Sequence, residues 1–425
     1  MQIIIIGNSA AAVGAIESLR TYDQSAEIMV ISEEPDLIYS RPMLSHYLGG
    51  DIDRARLAYR NSDFYNQHHV QPIVEDAVTS IDVTVHSVQT ASGRIQYYDK
   101  LLICTGGTPI IPPLAGTDIP GIYTFTRLND ALAIEHHLAT NSVQRAVVVG
   151  GGMIGIKAAD ALMKRHIPLS MVELAPRILS AALDEIASNL LARLLKEHGV
   201  EVLTNNTITA IQQTSGQLNG VILREGREVA AQLLVFGIGV RPRVELAKVA
   251  GITMNTGIVV DEYMRTSAKD VYAAGDVAEA YDLVVDMNRT VAIWPNAYRQ
   301  GAIAGAHMAG IDRPDEGGIA MNTVEVCGVP AMSIGNGNAV GPEYEELVEL
   351  NESENRYKRL VIHDNRLVGA ILVGNISRAG IYTGLIRHKL DISSSRKNLL
   401  SEYFELLSLP DQYRKHIVTG SSIEI

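Results

Sequence analysis

Short aliphatic runs that stop at a glycine recur along the chain, each followed by a stretch of helical periodicity. Residues 3–6 are four isoleucines ending at Gly7, and an Ala-rich segment covers 10–20. A second apolar run covers 27–32 and stops at Glu33. Unbroken apolar runs of this length, without polar alternation, predict strands buried on both faces of a parallel sheet. After an offset of 143 residues the pattern returns at 146–149, followed by Gly150-Gly151-Gly152-Met153-Ile154-Gly155. A helical stretch to Arg165, a strand over 169–172 and Glu173 complete it. Each copy reads strand, glycine turn, helix, strand, acid, the order of a dinucleotide-binding βαβ unit.

Punctuation divides the rest. Pro109, Pro112 and Pro113 with Gly116 and Gly121 break the chain after the first unit. Residues 230–240 predict a buried strand running into Gly239-Val240-Arg241-Pro242. From about residue 318 the text changes to short strand-like segments at 321–326, 359–363 and 367–373, then helical patterns over 381–404. At 425 residues about three domains are expected.

Composition narrows the class. Hydrophobic residues reach 47% but aromatics only 5%, and there are 36 glycines. Such a chain suits helices packed tightly on aliphatic strands better than an aromatic-girdled barrel. A net charge of −12 argues against general nucleic-acid binding. No run of 18 apolar residues predicts a membrane span. The N-terminus lacks the basic region of a signal peptide, and two cysteines cannot build a disulfide scaffold. A cytoplasmic location is the expectation.

The second copy carries the full fingerprint. Gly150 permits the tight turn, Gly152 lets the backbone approach a pyrophosphate, and Gly155 allows close helix–strand packing. Met153 and Ile154 open the helix whose N-terminal N–H groups would face the phosphates. Glu173, 23 residues after Gly150, is placed to accept hydrogen bonds from a ribose diol, which favours NAD(H) over NADP(H). Arg177 nearby weakens that preference slightly. The first copy keeps Gly7 but has Ser9 and Ala12 at the second and third glycine positions, with Glu33 26 residues after Gly7. Alone it could be an ordinary βα turn.

Two further segments bear on it: Leu101-Leu102-Ile103-Cys104-Thr105-Gly106 and Asp270-Val271-Tyr272-Ala273-Ala274-Gly275-Asp276. With these four motifs in this order, the chain resembles the FAD-dependent pyridine nucleotide-disulfide oxidoreductases, in particular their ferredoxin/rubredoxin reductase and nitrite reductase branch. The resemblance implies an α/β fold with two Rossmann-like dinucleotide-binding domains, for FAD and NAD, and a C-terminal α+β interface domain. It implies a discontinuous FAD domain at 1–111 and 244–319, an NAD domain at 112–243 and the interface domain at 320–425. Gly7, Ser9, Ala10 and Glu33 would hold the ADP part of FAD. Thr105 and Gly106 would close over its phosphates, and Gly275 with Asp276 would meet the ribitol or pyrophosphate. Arg41 and Pro42 would lie near the flavin, and the segment containing Ala297 would touch its ring. Gly239 with Pro242 would line the NAD site.

Departures from the family pattern are as informative. The redox CxxxxC or CxxC pair is missing; Cys104 and Cys327 are the only thiols, both read as structural. Two cysteines cannot ligate an iron–sulfur cluster or a structural zinc, and the pairs His68-His69 and His136-His137 lack metal-ligand spacing, so no metal is expected. Lys157 stands where many relatives carry a glutamate near the nicotinamide, and either points away or, with Arg41, tunes the flavin. Acidic residues cluster at 343–354, and 351–400 hold nine Lys/Arg against four Asp/Glu, a local +5. That stretch is either a solvated face or a dock for an acidic electron carrier.

The resemblance thus implies an NAD(H)-linked flavoprotein, without a catalytic side chain, that passes electrons to an iron–sulfur or rubredoxin-type partner within an oligomer or heteromeric complex. The wording at 7–11 and 39–42 is most similar to flavin subunits of NADH-dependent phenylglyoxylate (2-oxoacid) dehydrogenases. A stand-alone NADH:rubredoxin or ferredoxin reductase, a nitrite reductase electron-input protein and a non-enzymatic FAD/NADH sensor stay open as alternatives.

Overall fold

The isoleucine strand Gln2–Ile6 lies at the centre of a five-stranded parallel sheet, flanked by Glu27–Ile31 and Val70–Ile73 on one side and Lys100–Ile103 and Val271–Ala273 on the other. Ile3, Ile4 and Ile5 are wholly buried, as the unbroken apolar run requires. Each such side chain contributes about 1.5–3 kcal/mol by leaving water. In the computed structural model, residues 1–35, 38–401 and 403–405 are described. They form two compact units, each built from two stretches: Met1–Ile110 with Val240–Gly318, and Ile111–Gly239 with Ile319–Ile425.

In the first unit the helix Ala10–Tyr22 packs against the helix Trp294–Met308. Small residues set the distance between them. A Cβ on Gly14, Gly301 or Gly305 would strike the backbone carbonyl of Tyr298, Ala11 or Ala15 respectively. The closing strand Val240–Pro242 pairs antiparallel with Gly107–Pro109.

The second unit repeats the parallel plan around Ala146–Val149, between Leu169–Val172 and Leu233–Phe236, with Glu201–Leu203 and Ile122–Thr124 at the edges. The strand expected over 230–240 is really two. Glu228–Ala230 ends a small antiparallel sheet, and Leu233–Phe236 belongs to the parallel one. Gln232 makes the crossing, its side-chain oxygen accepting from the amides of Gln144 and Arg145 at 3.0 and 3.2 Å.

The same unit carries a five-stranded antiparallel sheet in the order Met321–Val326, Val329–Gly335, Arg366–Val373, Arg356–His363, Glu345–Asn351. Glu345, Glu346 and Glu349 of the acidic cluster therefore lie on an edge strand, where charge discourages pairing with another chain. Its glutamates face the basic stretch: Lys358 pairs with Glu349, Arg359 with Glu346, and Arg396 with Glu345. Arg378 pairs with Glu405, also outside 351–400, so much of the local +5 is spent inside the unit. The helical pattern expected over 381–404 gives a helix only at Ala379–Arg387. Beyond it the Asp391 carboxylate accepts from the Ser393 amide at 2.8 Å, a local bond that competes with helix continuation. Glu402 and residues 406–425 of the expected interface domain lie outside the described residues. Among the described residues no helix is long and apolar enough to cross a membrane.

Candidate dinucleotide sites

The first glycine turn is shaped by contact with the neighbouring strand end. Gly7 adopts φ +109°, and a Cβ there would run into the Cys104 carbonyl. No larger residue fits that close approach. Ser9 caps the helix Ala10–Tyr22 in extended conformation, yet its side chain makes no capping hydrogen bond. The first helical turn also contains no acidic residue. A 13-residue helix thus presents its first N–H groups and the positive end of its dipole, with a small hydroxyl beside them. This is the setting an anionic pyrophosphate requires.

Around that turn the structure gathers most of the residues expected there. Gly106 (φ +67°) and Gly275 (φ +82°) both turn in the left-handed region at the ends of adjacent parallel strands. A Cβ on Gly275 would lie 3.3 Å from the Ala11 Cβ and 3.4 Å from that of Ala297, which places Ala297 at the same turn. Ala10 is buried. Asp276 follows, and among the described residues no hydrogen bond reaches its carboxylate. Burial pushes its carboxyl up, and the Arg41 charge opposes the shift. Arg41 itself opens a short turn, pairs with Glu34 at 2.6 Å and lies 5.2 Å from the Tyr39 ring. Pro42, expected near the flavin, is exposed on that turn.

Two of the expected residues have partners within the protein. The Thr105 hydroxyl donates its proton to the Arg243 carbonyl at 2.9 Å, so its donor is already used and only its acceptor lone pairs stay open. Glu33 is bound at both oxygens by the Arg243 guanidinium. Sequence reading also missed Gln300, buried on the helix Trp294–Met308, whose Oε1 accepts from the Gly275 amide at 2.8 Å. It missed a surface cluster too, in which Arg60 grips Glu17 and lies 4.2 Å from the Tyr59 ring, while Tyr59 meets Trp294 edge-on at 5.0 Å. No local motif marks either group.

The second turn repeats the logic with glycine in place of serine. Gly150 has φ +106°, and its Cβ would fall 2.5 Å from the Gly237 carbonyl. A Cβ on Gly155 would strike the Gly150 carbonyl. Gly152 differs from both. Its φ is −80° and an added Cβ would meet nothing within 4 Å. Nothing within the protein demands glycine there, so the space is a cradle a side chain would fill. Met153 and Ile154 begin the helix Met153–Lys164, half-buried.

Glu173 bends back onto this turn, its carboxylate accepting from the Gly151 amide and, at 2.6 Å, from the Ala175 amide. Gly239 turns at φ +115° after Leu233–Phe236, but Gly237 is the glycine that packs on the fingerprint. Lys157 lies on the same helix as Asp160 and Lys164; burial pushes its ammonium down, and Asp160 opposes that. Neither thiol is poised for chemistry. Burial raises Cys104 far above the ordinary thiol range and pushes Cys327 up to about 11.

Comparison with known proteins gives the context. Residues 1–301 match the pyridine nucleotide-disulphide oxidoreductase family, and residues 321–390 match the rubredoxin NAD+ reductase C-terminal domain. A Bacillus subtilis nitrite reductase [NAD(P)H] is 31% identical over 93% of this chain and 48% of its own length. The chain thus spans about half of that relative. The epsilon subunit of NADH-dependent phenylglyoxylate dehydrogenase from Aromatoleum evansii is 29% identical over 94% of both chains. Among solved structures, a NAD-dependent persulfide reductase from A. fulgidus superposes with TM-score 0.85 at 26% identity, covering 92% of this chain and 78% of that one. The chain belongs to the pyridine nucleotide-disulphide oxidoreductase family, whose cofactors are FAD and NAD(H).

Proposed function

We propose, from that membership, that this chain moves a hydride between NAD(H) and FAD and exchanges single electrons with an iron–sulfur or rubredoxin-type carrier, as the flavin subunit of a larger complex. When bound, the flavin couples two-electron nicotinamide chemistry to one-electron carriers, and the protein orients it. The observation that carries the reading is the state of the thiols. Cys104 is buried in the core of the first unit, Cys327 belongs to the second, and both are free. Without a dithiol relay, electrons leave by another route.

FAD would lie on the first glycine turn, with its pyrophosphate on the N–H groups after Ser9, its ribose at Glu33, and Asp276 receiving hydroxyl donors it otherwise lacks. NAD(H) would lie on the second turn, over Gly152, with Glu173 at its ribose. Residues 1–111 with 244–319 would form the FAD part, 112–243 the NAD part, and 320–425 the docking part.

The correspondence to the Aromatoleum subunit over 94% of both chains supports the complex-subunit reading. The match of 321–390 to the rubredoxin reductase C-terminal domain favours a second reading, a stand-alone rubredoxin reductase. Anaerobic mixing of the FAD-loaded protein with NADH tests the shared part: loss of flavin absorbance on mixing is expected, and unchanged absorbance overturns it. Purification of the native protein separates the two readings. Stable association with iron–sulfur subunits supports the first, while a lone chain that reduces rubredoxin at turnover rates supports the second.

A further inference from the structure

We propose that Arg243 is a positioning residue for the adenosine half of the dinucleotide at the first glycine turn, an inference that rests on the FAD site proposed above. Glu33 stands at the end of the strand Glu27–Ile31, and both of its oxygens are met by one guanidinium 210 residues away. Arg243 Nη2 lies 2.7 Å from Oε2, and Nη1 reaches Oε1. The backbone of the same residue ties down the opposite wall. Its amide donates to the Gly106 carbonyl at 2.9 Å, and its carbonyl accepts from the Thr105 hydroxyl at 2.9 Å. One residue therefore joins the acid that would meet the ribose to the turn that would cover the phosphates.

Charge gives the arrangement its purpose. A dinucleotide is anionic, yet two acidic residues, Glu33 and Glu34, follow the strand Glu27–Ile31 where its ribose is expected. Each carries its own arginine: Arg243 on Glu33 and Arg41 on Glu34. A planar guanidinium grips a carboxylate through two parallel hydrogen bonds and so fixes its plane. A carboxylate can accept more than two hydrogen bonds, so holding Arg243 does not bar Glu33 from a vicinal diol. The pair is partly solvated, with 35% of the arginine side chain and 27% of the glutamate side chain exposed. Ion pairs at such exposure add little to folding, so losing this one should register in ligand binding.

The test uses flavin-free full-length protein, titrated in parallel with FAD and with FMN, which lacks the adenosine. Arg243→Met is expected to weaken FAD binding about tenfold or more while FMN binding and the melting temperature stay at wild-type values. Arg243→Lys should recover part of the loss. Adding Glu33→Gln to Arg243→Met should cost less than the separate effects combined, because the two residues act as one unit. Equal FAD affinity in wild type and Arg243→Met overturns the inference. A parallel fall of FAD and FMN affinity with a lowered melting temperature also overturns it, since that is a purely structural role. Wild-type protein that binds FAD no more tightly than FMN overturns the FAD site itself, and with it the function proposed above.

Discussion

Gly301 of the helix Trp294–Met308 rests on the carbonyl of Ala11, so close that a methyl group at that position would collide with it. Through this contact the helix brings Ala297 and Gln300 to the Gly275 turn. Gly301→Ala should therefore force the two helices apart and cost about 1–3 kcal/mol, seen as a lowered urea midpoint and weaker flavin retention. Gly384→Ala is the control: its Cβ would meet nothing within 4 Å on the helix Ala379–Arg387. That variant should gain up to about 1 kcal/mol from helix propensity.

The glycines of the second turn should separate folding from binding. Gly152→Ala should leave stability within about 0.5 kcal/mol yet weaken NADH binding at least about tenfold. Gly155→Ala should instead destabilise the fold, because its Cβ meets the Gly150 carbonyl. Thermal melts beside NADH titrations check both. A Gly152→Ala variant with unchanged NADH affinity would remove the cradle from the cofactor site.

Glu173→Ala should raise the Michaelis constant for NADH far more than that for NADPH. It should also cost about 1–2 kcal/mol, because the Gly151 and Ala175 amides lose their acceptor. Initial-rate kinetics with both nucleotides, paired with denaturant unfolding, test this. An unchanged nucleotide preference would assign Glu173 to the turn alone.

Asp276 predicts a pH dependence of the flavin-free protein. Burial raises its carboxyl above the ordinary value of 3.8, against the Arg41 charge. The folded chain thus holds this proton more tightly than the unfolded chain. The resulting stabilisation is complete below pH 3.8 and is lost as pH rises through the elevated folded-state value. Asp276→Asn has no such loss, so it should melt above the wild type near neutrality, and the gap should close on acidification. Melting curves over a pH series check the trend, and a gap independent of pH would sink it. The same variant should bind FAD more weakly.

The thiols should be dispensable. Cys104→Ala with Cys327→Ser is expected to keep NADH-dependent electron transfer to a one-electron acceptor, and wild-type protein should resist alkylation at neutral pH. Loss of transfer in a folded double variant would restore a role for cysteine.

The two glycine turns and their flanking strands were legible because their causes are local. An unbroken aliphatic run has nowhere to go but a buried parallel strand, and a glycine at its end marks a close approach. The splitting of 230–240 was not legible, since Gln232 shows its purpose only against Gln144 and Arg145. Nor was the strand Glu345–Asn351: its glutamates read only as an acidic cluster until the arginines and lysine facing them are seen.

Taken alone, the amino-acid sequence determined the α/β class, the paired dinucleotide motifs and the lack of a redox dithiol, since each depends on residue type at short spacing. Tertiary structure decided how the side chains are spent. It turned the Thr105 hydroxyl onto Arg243, set Arg243 on Glu33 and delivered Gln300 to the Gly275 turn. These are contacts between residues 25 to 210 positions apart. Only the packing of the whole sheet and its helices brings such partners within hydrogen-bonding distance.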